Sequence, residues 1–137
     1  MCDDPNLLGA AGLVPVMTLA EQAGLSGLAR EHLSVPTDKG AHPDRKVFSL
    51  VAGMVAGADS IDDMAVLRHG AMGRVFEHPY APSTLGSFLR EFRFGHVRQL
   101  DAIATRVLAG LHARTPVLAG IDGAVMVDID DSIIEVY

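Results

Sequence analysis

Apolar positions recur at helical rather than strand spacing over most of this chain and change to a β-branched run only at its end. The clearest period is Leu85, Phe88, Leu89 and Phe92 at i, i+3, i+4 and i+7, with Pro82 ahead of it and Ser83 or Thr84 placed to cap. Gly95 is expected to break that helix. A longer amphipathic helix then follows, with Val97, Leu100, Ala104, Val107, Leu108 and Leu111 on one face and its end near 112–116. Upstream, Pro43 suits a first helical turn. Val47, Phe48, Leu50, Val51, Met54 and Val55, interleaved with Ala52, Gly53, Ala56 and Gly57, predict a central, closely packed helix behind it.

Local signals divide the rest. Thr18-x-x-Glu21 reads as a capping box opening a helix that Gly24 interrupts, before a second piece reaches Leu33. The spacing of Ala20, Gly24 and Leu25 faintly resembles a helix-turn-helix, although Arg30 is the sole basic residue where a recognition helix would need one. The plainer alternative is a helical hairpin packed on the core. Pro, Thr, Asp, Lys, Gly and His over 35–43 predict a surface loop that joins elements and carries no site. Ser60 followed by Asp63 signals an N-cap for a short helix over 61–69, which Gly70 and Gly73 end. Asp62 and Asp63 in its first turn complement the helix dipole and need no metal, and His69 and His78 have no partner at ligand spacing.

The final run from Val125 to Tyr137 has the β-branched density of a buried strand, yet carries Asp128, Asp130 and Asp131. Carboxylate oxygens on a rigid strand are what Mg2+ or Mn2+ prefers. By alternation, Asp131 continues the otherwise apolar face of Val125, Val127, Ile129 and Ile133, while Asp128 and Asp130 share the opposite face. The same acids at a strand end in water would need no ligand. The expected fold is therefore mainly α, an N-terminal helical bundle over 1–114, a linker over 115–123 and a single β-strand within 124–137.

Composition narrows the function classes. Over 137 residues, 49% hydrophobic content excludes general disorder, and a net charge of -6 argues against a globally basic nucleic-acid binder. One cysteine rules out a disulfide framework. No Lys or Arg lies in the first twenty residues and the longest apolar run, 47–58, is too short to span a membrane, so a cytoplasmic protein without membrane partners is expected. The local cationic cluster is Arg90, Arg93, His96 and Arg98, at the corner between two predicted helices. It suits the phosphates of DNA, and equally a solvated face paired with Glu91 and Asp101.

Four stretches carry a resemblance: 53–64 (GMVAGADSIDDM), 67–76 (LRHGAMGRVF), 81–90 (APSTLGSFLR) and 94–101 (FGHVRQLD). They resemble the N-terminal part of bacterial insertion-sequence transposases of the DDE type. Val127-Asp-Ile-Asp-Asp-Ser resembles the first strand of the family's ribonuclease-H-like catalytic α/β domain. The resemblance implies an enzyme that cuts and joins transposon ends with two divalent metal ions, Mg2+ or Mn2+, held by two aspartates and a glutamate. Asp131, just before Ser132, matches the first catalytic acid, with Asp128 and Asp130 as fallback ligands. The remaining acids have no match in this sequence, so a truncated transposase, inactive alone, is expected. Its helical module would bind the terminal repeats of the DNA or assemble with itself or the full-length transposase. A non-catalytic DNA-binding or transposase-interacting module is the alternative.

Overall fold

The computed structural model describes residues 11–70, 72, 76, 79–115, 120, 123–124 and 126–127. Five α-helices order these residues: α1 Leu13–Gln22, α2 Leu25–His32, α3 Pro43–Val55, α4 Pro82–Arg90 and α5 Phe94–Arg114. Two 3-10 segments, Asp38–Gly40 and Asp62–Arg68, lie between them. The expected mainly helical fold is observed, and no strand occurs among the described residues. Met126 and Val127 are exposed and extend no sheet. Most of the strand expected within 124–137 lies outside the described residues.

Helix α1 begins five residues before the expected capping box, because Leu13 and Met17 already place one turn in the core. Thr18 is therefore internal, and its hydroxyl donates to the Val14 carbonyl at 2.8 Å instead of capping. Gly24 then takes the left-handed conformation, φ 101°, that a β-carbon would resist, and the chain reverses into α2. Leu25, Ala29 and Leu33 are all buried, and α2 packs against α1, α3 and α5. The pair is thus a helical hairpin packed on the core.

Pro43 occupies the first turn of α3 as expected, but the small side of this helix faces inward. Val47, Ser49, Ala52 and Gly53 are buried, whereas Met54 and Val55 are 61% and 50% exposed. Close approach of the 62–68 segment explains the orientation, since a β-carbon on Gly53 would lie 2.2 Å from the Met64 sulfur. That segment takes Ile61, not the expected Ser60, as its N-cap residue, with no side-chain cap; Ser60 braces the turn, its N–H and hydroxyl donating to Asp63 Oδ2 at 3.0 and 2.6 Å while the Asp63 N–H returns to Ser60 Oγ at 3.4 Å. Met64 and Leu67 complete its inward face.

Ala81 is the N-cap of α4, ahead of the expected Ser83 or Thr84, because Pro82 takes the first helical position. Leu85 and Phe88 are fully buried, worth roughly 1.5–3 kcal/mol each relative to exposure. Leu89, expected in the same stripe, is 39% exposed. The break before α5 falls at 91–93 rather than at Gly95, which lies inside the first turn of α5. That long helix uses Leu100, Ile103 and Val107 against the core, with Val97, Ala104 and Leu108 turned outward. Gly110 sets this rotation, since a β-carbon there would sit 2.6 Å from the Ala23 carbonyl oxygen.

Candidate nucleic-acid interface

The corner between α4 and α5 is built on aromatic rings. Phe88 is buried beneath Phe92, edge to face at 5.0 Å, and Phe92 in turn packs on the His96 ring at 5.7 Å. This column fixes where the four sequence-selected cations emerge. They do not form one equivalent cluster.

Arg90 is exposed on the last turn of α4, and its guanidinium folds back to donate to Ser87 Oγ at 3.1 Å. Arg93 is exposed at the N-cap of α5, and neither arginine has a carboxylate partner among the described residues. Both are available to phosphate oxygens. His96 serves differently: its Nδ1 accepts the Arg93 backbone N–H at 3.0 Å, closing the first turn of α5. The ring is thus engaged as a cap rather than offered to an external phosphate. Arg98 stands 3.7 Å from Asp101 one turn on, with both side chains more than 60% exposed. So exposed a pair contributes little stability, but it shares the Arg98 charge with a carboxylate.

Sequence reasoning missed a second group on the same helix. Ser83, Thr84 and Ser87 line a cleft together with Asp38, Lys39 and Lys46 from the 35–43 loop and α3. The hydroxyl spacing at 83 and 87 was a readable one-face signal, and Ser87 links this cleft to Arg90. Nothing in the sequence pattern marked Lys46 as buried. The loop expected to be a plain joint therefore supplies two cleft-lining side chains.

Asp128, Asp130 and Asp131, to which Mg2+ or Mn2+ was assigned, lie outside the described residues. Among the described residues no group of three His, Cys, Asp or Glu side chains could hold a metal ion. Asp62 is exposed and Asp63 is committed to Ser60, whose hydroxyl and N–H hold its carboxyl below the ordinary aspartate value. No helix of the described residues is long and apolar enough to cross a membrane. Compared with known proteins, the chain matches no family model, no curated protein and no solved structure.

Proposed function

We propose that the helical part of this chain is the DNA-facing module of a DDE-type transposase, gripping the phosphates of transposon ends with the α4–α5 corner. The observation that carries this reading is the pair Arg90 and Arg93, two exposed guanidiniums without carboxylate partners among the described residues, in a chain holding seventeen acids and eleven basic residues. Arginines without a carboxylate partner among the described residues, on a corner fixed by Phe88, Phe92 and His96, suit an external anion. The four sequence stretches that resemble insertion-sequence transposases supply the particular DNA. Under the same reading Asp131 is the first carboxylate for Mg2+ or Mn2+, and the chain alone is to show no metal-dependent nicking; nicking that is lost in Asp131→Asn would overturn that expectation.

Gel retention of a terminal-repeat duplex against an unrelated duplex of equal length tests the proposal. Retention that favours the repeat and weakens in the double variant Arg90→Ala with Arg93→Ala supports it. Equal retention of both duplexes removes the transposon-end part, and no retention at low salt removes DNA binding altogether.

One observation favours a second reading, in which the module joins the full-length transposase or another copy of itself. Phe94, Val97 and Leu108 on α5 are 81%, 48% and 54% exposed along the helix side that turns away from the core. Such a stripe suits a partner helix. Sedimentation of the chain with and without Leu108→Lys separates this from DNA binding.

A further inference from the structure

Lys46 is only 5% exposed, an unusual position for an ammonium in a helical bundle. Its Nζ donates to the Lys39 carbonyl at 2.6 Å and lies 5.2 and 5.7 Å from the Phe88 and Tyr80 ring centroids. One oxygen acceptor serves a group with three N–H bonds, and no carboxylate lies within ion-pair distance of it among the described residues. Burying a charge without a counter-charge is costly. Asp38 is near enough to act on it electrostatically, but that carboxylate is already engaged by the Lys39 ammonium.

The cleft that Lys46 borders measures about 310 Å3, at the small end of ligand-binding cavities. Its other walls are Asp38, Lys39 and the hydroxyls of Ser83, Thr84 and Ser87. Apart from Asp38, every polar side chain there can donate. Ser87 Oγ accepts from Arg90, which leaves its own proton to point elsewhere. The first turn of α4 has no side-chain cap; Pro82 has no N–H and the Thr84 and Leu85 N–H groups donate to the Ala81 carbonyl, so the Ser83 N–H is the opening amide that adds to the donors. Burial pushes the Lys46 ammonium below the ordinary lysine range, Asp38 pulls it back, and Lys39 pushes it down again. The negative charge of an anion in the cleft would act against that depression.

We infer that this cleft binds a phosphate group, held by the ammoniums of Lys46 and Lys39 and the hydroxyls of Ser83, Thr84 and Ser87. Two sources offer that chemistry, free phosphate and the phosphodiester backbone of a polynucleotide. The site stands on its own donors and does not need the DNA reading, although Ser87 joins it to Arg90.

Amide spectra of the full chain, titrated with inorganic phosphate against chloride at equal ionic strength, test the inference. Saturable shifts centred on Ser83 and Thr84 are expected. Lys46→Met should weaken the midpoint by about tenfold or more, the loss of one charge-assisted hydrogen bond. Because Lys46 is buried, the surface variant Ser83→Ala with Ser87→Ala provides a second check that leaves the core intact. Shifts equal in chloride, or undiminished in both variants, would overturn the site. In a second arm, a duplex that moves the same amides and is displaced by excess phosphate identifies a backbone phosphate. Amides that respond to phosphate alone identify a free anion. Loss of duplex binding in the Arg90 and Arg93 variants reads out separately, so either idea can fail without the other.

Discussion

Arg30 of α2 and Asp44 of α3 meet with Nη2 2.6 Å and Nε 3.2 Å from the same carboxylate oxygen. The geometry pins the hairpin of α1 and α2 to the start of α3. It also takes the one basic residue of α2 that could have served a recognition helix and gives it an intramolecular partner. Burial alone would raise the Asp44 carboxyl; the Arg30 hydrogen bond, the Arg45 backbone N–H and the Arg30 charge outweigh it and hold the group below its ordinary 3.8. A carboxyl depressed in the folded state stabilises the fold fully above its unfolded value and loses that contribution as pH falls through the folded one. Urea midpoints measured from pH 6 down to pH 2 should fall more gently in Asp44→Asn than in the parent. At neutral pH Asp44→Ala is expected to cost about 1–3 kcal/mol.

Gly40 governs the loop that delivers Lys39 to the cleft. A β-carbon there would lie 1.8 Å from the Val35 carbonyl oxygen and 2.8 Å from its carbon, both backbone atoms that cannot step aside. Gly40→Ala should therefore cost about 1–3 kcal/mol or more, read from thermal or urea unfolding. Gly57→Ala is an informative contrast, because there the space is open and only the left-handed backbone, φ 98°, opposes the change. A Gly40→Ala penalty no larger than that of Gly57→Ala would show that the close contact with Val35 does not set the loop.

His96 neighbours the arginines in sequence, yet its ring nitrogen closes the first turn of α5. His96→Ala should lower stability by about 1 kcal/mol, the usual worth of a cap, and weaken duplex affinity less than Arg93→Ala does, with the salt slope of binding unchanged. Affinity loss comparable to that of Arg93→Ala would restore His96 to the phosphate-binding set.

Much of the helical architecture was legible in the spacing of apolar residues. Leu85 and Phe88 announce α4 and Pro43 fixes the start of α3, whereas Ser60 and Asp63 bond to each other as their spacing suggests but Ile61 takes the N-cap of a 3-10 segment. Rotation about each helix axis was harder to read, because it is set by close approach of small residues to other elements. Gly53 against Met64 turns α3 so that Met54 and Val55 face out, and Gly110 against Ala23 turns α5 onto Ile103. Apolar content cannot distinguish two adjacent apolar faces when a glycine decides between them. The cation cluster was visible as residues, but its roles depend on partners three residues away and on backbone groups: Ser87 for Arg90, Asp101 for Arg98, and the Arg93 amide for His96. Lys46 was invisible for a different reason. Its burial comes from Tyr80 and Phe88, more than thirty positions away.

Phe88 connects core and surface, since it lies under Phe92 and beneath the Lys46 ammonium. Phe88→Leu keeps most of the volume but removes both ring contacts. Stability should fall by about 1–2 kcal/mol. Loss of order at the α4–α5 corner should then weaken duplex binding more than it lowers the helical signal in circular dichroism. Equal proportional loss of both would mean that the aromatic column supports the fold alone.

The central claim, that Arg90 and Arg93 hold DNA phosphates, is tested most directly by the salt dependence of duplex affinity. Each phosphate neutralised contributes about -0.9 to the slope of log affinity against log salt. The account predicts measurable binding at low salt, with a slope that becomes shallower by about 1 in Arg90→Ala and again in Arg93→Ala, and that stays at the parent value in Arg30→Ala. An unchanged slope in the Arg90 and Arg93 variants, or no binding at low salt, would contradict it.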